Sequence, residues 1–261
     1  MKTSFLLAWI ILYSVYCFPQ QEKKVLVFTR NGEGYVHDNI AASVISIQKL
    51  GEENDFLVDV SDDPVIFNES NLKQYDALIF SNTNNEVFDN DDQKVAFIRY
   101  IESGGGFVGI HSVCGTERDW PWFWKVVGGK FIRHAPFQEF SIKIIDPEHI
   151  STSFFESDWI RKDDCYYLNE LNPDIHVLLA ADLNTVEDKG KEEYPGNTFG
   201  TTFPIAWYHE FDGGRQWFTA LGHSIEDYSD PLFVKHMLGG IMWAMENGKP
   251  DFTKASSTSV K

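Results

Sequence analysis

The segment GGGFVGIHSVCG, from Gly104 to Gly115, runs from glycines through apolar residues to a histidine, a serine and, three residues past the histidine, a cysteine. An imidazole accepts or gives up a proton near neutral pH and binds ligands readily. In an α/β protein the carboxyl end of a buried strand is where ligands meet the chain, because the sheet edge and the next helix open a crevice there. Residue type and position together make His111 a candidate acid, base or ligand. His223 closes the apolar run RQWFTALGH, with Glu226 three residues on. A histidine beside a carboxylate is suited to moving a proton at neutral pH. His37 and Asp38 follow the first apolar run, where capping a helix or shaping a turn is an equal alternative. His209 and Glu210 end PIAWYHE; neighbours on a strand point to opposite faces, so only one of them can enter a given pocket. No tight spacing of the H-E-x-x-H kind supports a metal site, and the glycines of GGGFVG precede their strand rather than follow one. Neither a metal nor a dinucleotide cofactor is therefore expected.

These side chains need a frame. KKVLVFT, NDFLVDVSDD, YDALIFSN and GFVGIH read as strands, and HDNIAASVISIQKLG and FDNDDQKVAFIRYIESGGG as the helices between them, the first stopping at Gly51. Alternation of this kind predicts parallel pairing with right-handed crossovers, hence a doubly wound sheet with helices on both faces. The second half is less regular. EFSIKIID, IHVLLAAD, PIAWYHEF and RQWFTALGH read as further strands, and the last helix starts at Asp230 with Pro231 in its first turn. One domain over residues 24–247 is expected, followed by a polar, disordered tail over residues 248–261.

The amino terminus reads as a separate object. Lys2, an apolar core from Phe5 to Tyr16 and small-residue positions at Val15 and Cys17 fit a signal peptide over residues 1–17, too short to span a bilayer. A secreted protein is expected, extracellular and free of the membrane after cleavage. Cys114 and Cys165 would remain, either paired or buried and inert. Asn68 to Ser70 reads NES, a possible glycosylation acceptor. The formal net charge of −17 argues against nucleic acid and anionic membranes, since both are bound largely through Lys and Arg. The 261 residues, 43% of them hydrophobic and 15% aromatic, supply enough apolar mass for a large core. Oligomeric state is not legible.

Four segments together carry a family resemblance: VLVFTRNGEGYVHDNI, YIESGGGFVGIHSVCG, PIAWYHEFDGGRQWFTALGHSIEDYSDP and HMLGGIMWAM. The chain resembles the ThuA-like (trehalose-utilisation) proteins, a branch of the class I glutamine-amidotransferase-like superfamily. The resemblance implies a flavodoxin-like, mostly parallel sheet and a small carbohydrate, a sugar or keto-sugar derivative, as substrate. In the amidotransferases a Gly-x-Cys-x-Gly elbow presents the nucleophile; here Gly109, Ile110, His111, Ser112 and Val113 occupy those places, so thioester chemistry is not available. His223 stands where the superfamily has its base. His134 in FIRHAPFQEF matches a family histidine, although a loop histidine is also often just solvated. Asp164 in RKDDCYY stands where the family carries glutamate before an aromatic and a tyrosine, and Phe203 where relatives carry histidine. The resulting assignment is a cofactor-free enzyme in which His111, His223, Glu210 and Asp164 do acid–base work, while His37, His134, His209, Trp207 and Tyr166 contact the substrate. A carbohydrate-binding protein that keeps the pocket without turnover is the alternative.

Overall fold

Strands buried on both faces must be apolar throughout, and the central strands of this chain are. In a computed structural model that describes residues 22–190 and 200–261, every residue of β3 (Ala77–Ser81) and β4 (Gly106–Ile110) is buried. Their neighbours are β1 (Lys23–Phe28), β2 (Phe56–Ser61) and β11 (Gly214–Thr219), and all five run parallel in the order β2-β1-β3-β4-β11. The register carries Val25 beside Ala77, Ala77 beside Gly106 and Gly106 beside Arg215, so β1 and β4 are parallel members of one sheet. This is the expected α/β core. Beyond β11 the sheet turns antiparallel through β10 (Thr202–Phe211), β9 (His176–Asp182), β6 (Gln138–Ile144) and β7 (Trp159–Asp163), giving nine strands in all. A separate antiparallel pair, β5 (Lys130–His134) and β8 (Tyr166–Asn169), lies at the carboxyl edge of the parallel half.

Helices α1 (Ile40–Glu53), α2 (Glu69–Leu72), α3 (Asp91–Glu102), α4 (Pro121–Val127) and α5 (Pro231–Ala244) cover the sheet. Adjacent residues of a strand face opposite ways, and the contacts follow. Phe107 on β4 meets Phe97 of α3 and Phe123 of α4. Trp217, beside Val108 on the other face, meets Gly240 of α5, where a Cβ would stand 2.3 Å from the indole. Gly51 does not end α1, which continues to Glu53; it is a glycine because a Cβ there would come within 2.6 Å of the Phe56 carbonyl. None of the described helices is long and apolar enough to cross a membrane, and the expected signal peptide lies outside the described residues.

The tail departs from expectation. Residues 248–261 dock on the surface of α3 rather than hanging loose: Ser256, Ser257 and Lys261 all bond the Glu102 carboxylate, and Trp120 Nε1 donates to the Lys261 carbonyl. Its polarity satisfies ion pairs and hydrogen bonds, which a composition measure of hydrophobic burial does not register.

Candidate functional site

The end of β4 turns sharply. His111 adopts φ 57°, the left-handed region that a side chain with a Cβ seldom occupies, and opens a 3-10 turn over His111–Gly115. Gly109 allows this tightness, because a Cβ on it would lie 2.7 Å from Val113 Cγ1. The turn sends the imidazole into full burial. Its Nδ1 lies 2.8 Å from the Ala220 carbonyl. A carbonyl only accepts, so the proton sits on Nδ1 and Nε2 keeps a bare lone pair. Three groups converge on that nitrogen: Tyr166 Oη at 2.9 Å, His37 Nε2 at 3.1 Å and His223 Nδ1 at 3.3 Å.

Each neighbour is positioned from elsewhere. His37 comes from the segment between β1 and α1 and packs edge-on against Tyr35. His223 follows β11 through Gly222 at φ 109°. Its backbone is pinned from two sides: Asn39 Nδ2 donates to the carbonyls of Gly222 and His223, while the Asp163 carboxylate accepts from both backbone N–H groups. Arg161 pairs in turn with Asp163 and Asp227. Tyr166 and His134 arrive on the β5–β8 pair. Asp164 reaches His223 Nδ1 at 3.0 Å and His134 Nδ1 at 3.5 Å.

Burial first, and then the neighbouring His37, hold the His111 imidazole well below its usual pKa. Burial and the His223 charge bring His37 down to about 4. The hydrogen bond to Asp164 raises His223 against the cost of its burial. Two imidazoles whose protons are held weakly therefore stand beside a third whose proton is held more tightly than usual. His37, His223, Asp164, His134 and Tyr166 line a cavity of about 410 Å³. Tyr35, Phe131 and Phe137 give it aromatic walls, and Arg118 and Asn84 polar ones. His111 touches two of the lining histidines but is itself sealed behind them, so this strand-end candidate reaches the pocket only through His37, His223 and Tyr166.

Three assigned residues are not at this cavity. Glu210 is solvent-exposed on β10 opposite Arg215. Strand alternation points its neighbour His209 inward, and there Nε2 donates to the Lys125 carbonyl at 2.9 Å. Trp207 donates to the Val127 carbonyl and packs under Gly128, where a Cβ would fall 2.2 Å from the indole nitrogen. All three belong to the antiparallel half, whose inward face is core. Trp120 and Trp122 stack on each other against Phe123 and α3. Cys114 and Cys165 are free and buried, and burial pushes both thiols up. Sequence reasoning did not single out Arg118, Asn84, Phe131 or the positioning pair Asn39 and Asp163. Arg118 had one usable signal, its place in the loop that follows His111. The others come from distant segments and carry no local pattern.

The nitrogens of His37, His111 and His223 all lie within 4.8 Å of one another, which makes these residues a potential metal-ligating set. The expectation of no metal rested on local spacing, whereas these histidines are 74 and 112 residues from their neighbours in the set.

A parallel core whose central strand ends in a left-handed elbow, with histidine at the elbow and a second histidine after a late strand, defines a doubly wound α/β protein with a histidine cluster at its carboxyl edge. The chain belongs to the trehalose utilisation (ThuA) family, whose model matches residues 24–244. A ThuA-like protein of Bacteroides uniformis is 22% identical, with 94% of this chain and 100% of that one covered at a TM-score of 0.71. One from Parabacteroides merdae is 17% identical over 90% and 96% of the two chains, TM-score 0.66. A GMP synthase component from Thermoplasma acidophilum shares the fold at 12% identity, with 87% and 96% covered and a TM-score of 0.53. No curated protein matches the sequence.

Proposed function

We propose that this protein is a secreted enzyme that acts on a sugar or keto-sugar derivative in the cavity at the carboxyl edge of β4, using histidine and carboxylate side chains, and that it has no glutaminase activity. One observation carries the reading: an aromatic-walled cavity of about 410 Å³ has a carboxylate-backed histidine, His223 with Asp164, beside a buried neutral one, His37. Aromatic faces suit the C–H faces of a sugar ring. Arg118, Asn84 and His134 offer polar partners for its hydroxyls. A keto group acidifies the neighbouring C–H bond, and a base and an acid on one wall can take that proton and return one to the substrate oxygen. The trehalose-utilisation family supports the carbohydrate class. Glutaminase chemistry lacks its nucleophile, since His111 holds the elbow and the buried Cys114 thiol is held protonated.

The test is a screen of the purified mature protein against disaccharides and their keto derivatives, reading binding and turnover together. Turnover of a keto-sugar supports the enzyme. Binding without turnover moves the reading to a carbohydrate-binding protein, and neither removes the substrate class. Secretion is tested by amino-terminal sequencing of protein collected from the medium of a secreting cell. Phe18 is the expected first residue, and recovery only in the membrane fraction would contradict it.

A further inference from the structure

We propose that His37 Nε2, His111 Nε2 and His223 Nδ1 form a binding site for a single divalent transition-metal ion of the zinc type, open on one side to the cavity. The spacing fits such an ion. Two nitrogens that each stand about 2.0–2.1 Å from a tetrahedral zinc are about 3.3 Å apart. The two contacts to His111 Nε2 measure 3.1 and 3.3 Å. The tautomer fits as well. A metal-binding histidine commonly gives its other ring proton to a carbonyl or carboxylate, which leaves the ligating nitrogen bare. His111 does this through Nδ1 to Ala220.

The hydrogen bonding without an ion is poorly matched. His111 Nε2 has one lone pair, and Tyr166 Oη is already 2.9 Å from it. His37 and His223 then press their own nitrogens against an acceptor that is already used. His37 is nearly buried, and its Nδ1 has no hydrogen-bond partner among the described residues. The ring's one polar contact is therefore nitrogen to nitrogen. A cation at the shared focus turns the two histidine–histidine contacts from competition into ligation. Asp164 Oδ2, 3.0 Å from His223 Nδ1, supplies an oxygen and a negative charge at the same point. Three imidazoles with one oxygen donor suit zinc and its first-row neighbours rather than calcium or magnesium, which prefer all-oxygen sets.

His37, His223, Asp164 and Tyr166 also line the cavity, so the ion would face whatever binds there. It would polarise a substrate oxygen as a Lewis acid. Proton transfer would then fall to His134 in the cavity lining rather than to the ligating residues. The site rests on histidine geometry alone and survives failure of the sugar reading.

The experiment takes the mature protein, strips it with a chelator, and titrates it with Co²⁺ and Zn²⁺. Visible absorption reports cobalt, and elemental analysis reports zinc retained after desalting. The expected result is about one equivalent per chain, with the intense visible bands of four- or five-coordinate cobalt. His37→Gln and His223→Gln should each weaken binding by about 100-fold or more. Their metal-free melting curves should match the parent, and His176→Gln, away from the cluster, should bind as the parent does. No stoichiometric binding, or binding unaffected by both cluster substitutions in proteins that melt normally, would overturn the site. Stoichiometric metal with neither binding nor turnover of any sugar keeps the site and removes the sugar reading, whereas turnover by protein that binds no metal does the reverse.

Discussion

His111 is held by its backbone as firmly as by its ring. The left-handed φ of 57° aims the side chain inward, and the bond from Nδ1 to the Ala220 carbonyl ties the end of β4 to the end of β11. Replacing it with alanine removes a fully buried ring and leaves that carbonyl unpaired, so stability as well as chemistry should suffer. The unpaired group alone costs about 1–3 kcal/mol. Urea denaturation of His111→Ala should show at least that loss; an unchanged midpoint would mean that the turn holds without the imidazole. At this scale the sequence was legible in placement: His111, His223 and Asp164, singled out by position and resemblance, do come together in one cluster. Glu210, His209 and Trp207 misled because a strand's end looks alike whether its inward face meets a cavity or core. Asn39 and Asp163 act on the backbone of Gly222 and His223 from residues far away in the chain, and nothing local marks them.

Elements bring these residues together. The parallel strands declare themselves by continuous apolar runs, because both faces are covered. The β5–β8 pair does not, since FIRHAPFQEF and RKDDCYY mix polar and apolar residues with no clean alternation: the apolar Phe131 lines the cavity and Ile132 is exposed. Yet this pair delivers His134 and Tyr166. The docked tail was misread for a related reason: polar residues anchor it. The Glu102 carboxyl, although burial would raise it, is held down at about 2 by its bonds to Lys261, Ser257 and Ser256. A carboxyl depressed in the folded state stabilises docking above its ordinary pKa of about 4.5, and that contribution is lost as the pH falls towards 2. Amide exchange of residues 252–257 should therefore accelerate between about pH 4.5 and 2 relative to the core strands. Exchange that keeps step with the core over that range would show that Glu102 does not hold the tail.

For the whole molecule, the wide sheet separates two tasks. Its parallel half opens the cavity at the carboxyl edge, and its antiparallel half buries large side chains such as Trp207 and Phe203. A net charge of −17 leaves that cavity on a strongly anionic body, which favours a neutral ligand over a polyanion. The α/β class and the parallel pairing of the first strands were legible because alternation of strand and helix forces parallel pairing. The antiparallel extension was not, because short strands between long polar loops fix no partner order. The central claim is that the histidine–carboxylate cluster does the chemistry. Its most direct test is kcat/KM on a keto-disaccharide for the parent and for Asp164→Asn, a near-isosteric change that removes the carboxylate beside His223. A loss of about 100-fold or more with the melting temperature unchanged is the predicted result, and equal rates in the two proteins would contradict it.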